Sequence, residues 1–492
     1  MMVLCSITYS NHFFNAFHFD DSHTIVNNAA IRDIRNIPLF FKDGSTSSVL
    51  PQNQSYRPVT TTSLAIDYWL GGGYNLFAFH LSTFILFLLQ GVLMILLYGR
   101  LFNTSGVDNK FAWYAALIAV TWYMLHPAIA ETVNYIIARA DLQSTLFMIL
   151  AFVLYLYSPF WRKTYLYLLP VVVGALAKPP AIMFAPLFFF YVLFFEEGLG
   201  LTDVFKTSNF KRLLSVIVKS VPAFICAIFM YWWQAKLTPK TWEAGGTSPI
   251  AYLITQPYVV FHYFRMFFVP NALSADTDWQ LLPGITDWRF TVGCLFILIM
   301  LIIAFITSKK ALLRPIAFGI LWFFITLIPT SSIIPLAEVL NDHRMFLPFV
   351  GLCLSVSWAI ALILRRYTTS IKNRLPKYKT AGLVLLFIIL SGYAYATYQR
   401  NEVWSTEETL WHDVTLKSPK NGRGLMNYGL AKMAQGDYKT AGIYFNKAKA
   451  ILPGYWTIYV NLGILKEATG DKATAENYFI QGTQLGSAYP DA

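Results

Sequence analysis

Two adjacent carboxylates are the first residues whose chemistry stands out. The segment His18-Phe19-Asp20-Asp21-Ser22-His23, followed by Ile25-Val26-Asn27-Asn28, sets a pair of acids side by side early in the chain. On a strand or loop, neighbouring side chains point different ways. One carboxylate can then take a proton from an incoming hydroxyl while the other is held by a cation or metal. A solvated or helix-capping pair is the plainer reading of the same dipeptide.

Three further groups of charge accompany it. His126-Pro127, Glu131, Arg139 and Asp141 lie in a short connection, with Glu131 and Arg139 two helical turns apart. That spacing suits a structural ion pair orienting two helices, or it leaves Arg139 to meet an anionic substrate group. Glu338 and Asn341-Asp342-His343-Arg344 lead into Met345-Phe346-Leu347-Pro348. A planar guanidinium binds two oxygens at once, so Arg344 with His343 is the leading candidate for a lipid-phosphate contact, against simple snorkelling to the headgroups. Lys178, between Ala177 and Pro179-Pro180, would neutralise phosphate or only snorkel, and Arg57, before Pro58-Val59-Thr60-Thr61, reads by itself as an interfacial anchor.

The elements that must carry these groups are membrane helices. Of 492 residues, 56% are hydrophobic, 17% aromatic and 13% charged, whereas soluble domains carry about 25% charged residues. Apolar runs predict an all-α chain with about ten spans, at 76–98, 111–126, 141–158, 165–178, 179–195, 213–234, 290–307, 314–330, 346–364 and 380–398. Short basic connections should be cytoplasmic: Arg100 to Lys110, Arg162-Lys163, Lys206 to Arg212, Lys309-Lys310 to Arg314, and Arg365-Arg366 with Lys372, Arg374, Lys377 and Lys379. By alternation, 20–75, 126–141, 235–289, 331–345 and everything after Gln399 face the periplasm or a lumen. Most of the acid-base groups therefore collect at one face, as expected for interfacial chemistry rather than transport through the bilayer. Met1 to His12 is too short to span, which predicts a truncated start with a first helix missing.

The net charge of +12 is explained by these loops and does not call for nucleic acid as a partner. Four cysteines without a CxxC pair indicate neither a zinc site nor a disulfide framework. No P-loop, GxSxG, HExxH or dinucleotide glycine motif occurs in the right context.

After the last span, residues 421–454 and 455–488 align at an offset of 34 without a gap. Asn427, Gly429, Gly436-Asp437, Ala441 and Phe445 recur as Asn461, Gly463, Gly470-Asp471, Ala475 and Phe479. This period resembles the tetratricopeptide repeat, an α-solenoid unit. Glu407 to Lys417 should pack as a preceding half repeat, making about two and a half repeats. Such a stack either docks a peptide or partner, or only caps the bundle. The expected division is 1–75 as truncated start and first outer loop, 76–398 as membrane domain, and 399–492 as repeats.

Taken in order, these features resemble a family: the bacterial relatives of the transmembrane and tetratricopeptide-repeat O-mannosyltransferases, within the polytopic GT-C glycosyltransferases. The resemblance is carried by Phe19-Asp20-Asp21, Arg57-Pro58-Val59-Thr60-Thr61 with His80, His126-Pro127, Glu131-Thr132-Val133, Arg139-Ala140-Asp141, His343-Arg344-Met345-Phe346-Leu347-Pro348, Arg400-Asn401, Trp404 and Leu410-Trp411. It implies a GT-C-like helix bundle in a bacterial inner membrane, with a sugar carried on polyprenyl phosphate. The sugar, mannose in the family, would pass with inversion to a protein or glycan acceptor at the periplasmic face. Asp20 or Asp21 would be the base, while Arg344 with His343, and Arg139 or Lys178, would meet the departing phosphate. Glu131 and Asp141 would orient those cations, supported by Arg57, His126 and Glu338. No organic cofactor is required, although a divalent cation on Asp20 and Asp21 is the other use of that pair. The rival expectations are a non-enzymatic scaffold anchoring the repeats, and a ligase or flippase of lipid-linked glycans.

Overall fold

A computed structural model of the chain describes residues 1–246, 248–332, 334–370 and 375–486. Lys372 and Arg374 of the most basic loop, the side chains of Lys377 and Lys379, and the last residues of the second repeat lie outside it. The regular elements among the described residues are all helices, and the only β pairing among these residues is an isolated bridge between Gly245 and Leu336. They form two compact units, one comprising Met1–Pro270, Leu281–Val339 and His343–Asn401, the other Asn271–Gln280, Leu340–Asp342 and Glu402–Ala492.

Seven helices are long and apolar enough to cross a bilayer, all but their few end residues in the first unit: Leu76–Asn103, Ile136–Tyr157, Pro179–Glu196, Thr207–Leu237, Trp288–Ser308, Asp342–Arg366 and Thr380–Val403. An eighth span is a broken one, Asn109–Met124 with Pro127–Asn134, bent by 57°. About ten spans are expected from the sequence; seven helices reach this length, or eight with the broken pair. The other two apolar runs form shorter helices, Leu168–Ala177 and Ala311–Leu327. At ~1.5 Å per residue, ten residues rise about 15 Å, half of a hydrocarbon core. The run stops there because a residue before proline is driven out of the helical region: Lys178, ahead of Pro179-Pro180, is extended at φ −155° and ψ 139°. With its helices passing through a membrane, the chain is an integral membrane protein.

The region 20–75, read as loop from the sequence, contains a helix at Pro58–Leu70 that starts on a proline at its first position. The first residues of the chain are held by a buried amide network. Asn15 Nδ2 donates to Asn134 Oδ1 (2.7 Å) and to the Asn401 carbonyl (3.0 Å), and Asn134 Nδ2 donates to Asn401 Oδ1 (2.7 Å). Asn401 Nδ2 in turn donates to the Thr8 carbonyl and Asn11 Oδ1, both at 3.1 Å.

The second unit contains helices Glu407–Lys417, Gly422–Ala434, Tyr438–Ile451, Trp456–Ala468 and Lys472–Gly486. The starts of the last four, 422 and 456, then 438 and 472, recur at the 34-residue offset. The recurring residues have a physical reason. A Cβ on Gly429 would come 2.7 Å from the Phe445 ring, and one on Gly463 would come 2.5 Å from Phe479, so each pair packs only because the crossing residue lacks a side chain. Gly436 and Gly470 take φ of 80° and 84°, which glycine tolerates. The aspartate after each caps the next helix, Asp437 Oδ1 accepting from Thr440 N at 3.0 Å and Asp471 Oδ1 from Thr474 N at 3.2 Å.

Candidate functional site

The two adjacent acids have different surroundings, and the backbone separates them. Phe19 has a left-handed φ of 47°, uncommon for an aromatic residue and of the kind that clusters at functional sites. A π turn over Ser22–Val26 follows directly. Asp21 is buried, its Oδ2 accepting from His18 N (3.1 Å) and its Oδ1 from Ile137 N (2.9 Å). Burial pushes its carboxyl up to about 7, against the pull of those two N–H groups. Asp21 thereby ties the 18–21 turn to the start of a membrane helix. The Asp20 side chain is 55% exposed, with Oδ1 3.3 Å from His23 Nε2. Its backbone N donates to Tyr135 Oη at 2.9 Å. Of the two acids, Asp20 presents its carboxylate outward.

Basic groups from distant parts of the sequence gather around Arg57, which is the one that feels Asp20. Lys178, in the break between two apolar helices, lies 2.6 Å from Asp141 Oδ2. Asp141 sits in the first turn of the Arg139–Tyr157 helix, where the helix dipole favours an acid. Arg344 donates to the Glu338 carbonyl (3.0 Å) and to Tyr252 Oη (3.4 Å), with Glu338 Oε2 at 3.7 Å. His343 Nδ1 is 3.1 Å from Glu131 Oε1. Arg57 is half-buried, and its Nε has no hydrogen-bond partner among the described residues. Burial lowers its pKa, while the charges of Asp141 and Asp20 and the Tyr135 hydroxyl oppose that shift. Lys178 feels Arg57 and Arg344, and His343 feels all three cations. Residues near 20, 57, 135, 141, 178 and 344 thus share one electrostatic neighbourhood.

Two expected members stand elsewhere. Arg139 is fully buried and pairs with Asp67, while its Nε and Nη2 donate to the carbonyls of Ile136 (3.2 Å) and Phe79 (2.7 Å). The expectation that it meets a phosphate is corrected: every nitrogen of its guanidinium already serves a buried partner. It does not pair with Glu131 either, because the helix breaks at Tyr135, which is extended at ψ 110°, and the two-turn spacing does not exist. His126 caps the Pro127–Ile129 turn through Nδ1, which accepts from Ala128 N (3.2 Å), and meets the Phe267 carbonyl through Nε2 (3.0 Å). It braces the broken span.

Asp67, Tyr135 and Tyr252 were not anticipated. Asp67 faces Arg139 from the Pro58–Leu70 helix, which interrupts the loop expected over 20–75. The sequence gives neither tyrosine a role, although the Tyr135 hydroxyl accepts from Asp20 N and the Tyr252 hydroxyl from Arg344. Among the described residues no three His, Cys, Asp or Glu side chains have metal-ligand spacing.

No family model and no solved structure matches the chain. Among curated proteins, it is 25% identical over 488 residues to mouse protein O-mannosyl-transferase TMTC4, covering 87% of this chain and 63% of the relative. The Drosophila melanogaster protein O-mannosyl-transferase Tmtc3 is 23% identical over 550 residues, covering 98% of this chain and 58% of the relative. Human protein O-mannosyl-transferase TMTC3 is 22% identical over 480 residues, covering 90% and 50%. The chain therefore spans between half and two thirds of the length of these relatives. Over most of its own length the chain is similar to proteins named as TMTC O-mannosyl-transferases.

Proposed function

We propose that this chain is an integral-membrane glycosyltransferase that moves a sugar, mannose by the names of its relatives, from a polyprenyl-phosphate donor to a protein hydroxyl on the non-cytoplasmic face. The observation that carries the reading is the outward carboxylate of Asp20 within electrostatic range of Arg57, in the neighbourhood of Lys178 and Arg344. In the proposed step the acceptor oxygen attacks the anomeric carbon from the face opposite the phosphate. The C–O bond to phosphate breaks, its electron pair stays on the phosphate oxygen, and the hydroxyl proton passes to Asp20. Fixed cations aimed at a developing phosphate charge are each worth about 10²–10³ in rate, and a positioned base about 10²–10⁴. Arg344, Lys178 and Arg57 take the first role, with Glu338 and Asp141 orienting two of them. No organic cofactor enters, and the repeats serve as the docking surface of the acceptor.

The test is transfer by the purified chain in detergent, given labelled mannosyl-phosphoryl-polyprenol and a periplasmic or lumenal protein extract. Transfer is expected without added nucleotide sugar and is lost in Asp20→Asn. Absence of transfer from any lipid donor, together with capture of a partner protein by the repeats, replaces the enzyme with a membrane-anchored scaffold.

A further inference from the structure

Asp20 is linked to a second, buried pair of side chains. The π turn sets His23 three residues after it, with Nε2 3.3 Å from Asp20 Oδ1. The other ring nitrogen, Nδ1, lies 2.9 Å from Ser48 Oγ. His23 and Ser48 are both buried. Ser48 sits in a fixed bend: Leu50 N donates to its Oγ (3.0 Å), Gln54 Nε2 donates to its carbonyl (3.1 Å), and Val49 N donates to the His23 carbonyl (3.1 Å). The imidazole is therefore held at both nitrogens and through its own backbone.

The direction of the hydrogen bonds follows from the carboxylate, which only accepts. Nε2, 3.3 Å from Asp20 Oδ1, then carries the ring proton. In the neutral ring Nδ1 is an acceptor, and it accepts from the Ser48 hydroxyl 2.9 Å away, whose other acceptor in reach is the Leu50 carbonyl at 3.3 Å. A base works only when held within hydrogen-bond reach of its proton, and His23 supplies one fixed donor to this carboxylate.

We infer that His23 is a positioning residue for the transfer: Ser48 Oγ–H donates to its Nδ1, its Nε2–H donates to Asp20 Oδ1, and the chain holds the outward carboxylate in one rotamer. The inference rests on the reading of Asp20 as the base. It differs from that reading in naming groups that never touch substrate.

The experiment uses the full chain in detergent with labelled mannosyl-phosphoryl-polyprenol and a serine/threonine peptide. His23→Phe is expected to lower kcat about tenfold to a hundredfold, the worth of a hydrogen bond to a charged group, with both KM values unchanged. His23→Gln, whose amide can still donate, recovers most of the rate. Ser48→Ala costs less, and the double variant His23→Phe/Ser48→Ala is no slower than His23→Phe alone, since Ser48 acts only through the ring. Wild-type kcat in His23→Phe, or losses that multiply in the double variant, overturns the inference. A wild-type rate in Asp20→Asn, or an inactive wild type, overturns the base reading instead. Solid-state NMR of 15N-histidine decides the geometry without activity: the His23 signals, identified by their loss in His23→Gln, are expected from the Nε2–H tautomer. The Nδ1–H tautomer overturns the inference.

Discussion

Lys178 Nζ and Asp141 Oδ2 lie 2.6 Å apart, joining the break between two apolar helices to the first turn of a third. The pair is only partly exposed, so each charge depends on the other. Lys178→Met is expected to lower stability by about 1–3 kcal/mol, the penalty for stranding one member of a buried pair reduced for partial exposure. Thermal unfolding in detergent measures this, and Lys178→Arg should recover much of it. In the transfer assay the same Met variant should lose about 10²–10³ in kcat.

Asp20 and Asp21 should separate cleanly. Asp20→Asn is expected to fold normally and lose about 10²–10⁴ in rate. Asp21→Asn turns an amide NH₂ toward one of two backbone N–H groups and should cost about 1–3 kcal/mol of stability. Parallel measurements of melting temperature and kcat distinguish them, and equal effects on both quantities would contradict the division of roles.

The buried Asp21 carboxyl also fixes a sign. Its pKa is raised from 3.8 to about 7 by burial, so between those values the folded chain binds a proton that the unfolded chain does not. The contribution of this group is fully present below the unfolded value and is lost as pH rises through about 7. The difference in melting temperature between wild type and Asp21→Asn should therefore narrow as pH climbs from 5 toward 8. A widening difference would contradict the assignment.

Arg139 and Asp67 should behave as structure alone. Arg139→Met is expected to lower stability by about 3–5 kcal/mol because it leaves a buried carboxylate uncompensated. Combining it with Asp67→Leu should restore part of that loss, as read by thermal unfolding. A stable Arg139→Met protein with impaired donor binding would return Arg139 to the substrate.

The repeats offer an independent check. Gly429→Ala and Gly463→Ala each force a methyl group against a phenylalanine ring, and overpacking of this kind costs about 1–3 kcal/mol. Loss of helix signal at a lower temperature, with the membrane helices still folded, is the expected result.

Much of this fold is legible because hydropathy reports the solvent of each segment. The runs at 76–98, 213–234 and 290–307 all fall on helices. An apolar count runs from 165 to 178 because it registers neither the turn at Tyr165, φ 58°, nor the extended Lys178 before proline that bound the Leu168–Ala177 helix. The Pro58–Leu70 helix was missed because its threonines dilute the apolar signal, and Asp67 was missed with it. Choosing between Asp20 and Asp21 was beyond reach for a different reason. Their types are identical, and what separates them is a left-handed backbone at Phe19 and an N–H from Ile137, 116 residues away. The cation group was legible as charges at one face, but the partners that orient each were set by packing.

The asparagine network has a mechanical consequence. Asn401 closes the membrane unit, and its amide grips Asn134, one residue ahead of the tyrosine whose hydroxyl receives the Asp20 N–H. Strain arriving along the last membrane helix therefore has a short, fully hydrogen-bonded path to the turn that carries the carboxylate. Asn134 acts as a tether: shortening it to Ala would slacken the grip on Asn401 and let the turn that carries Asp20 drift while every charged residue stayed in the chain.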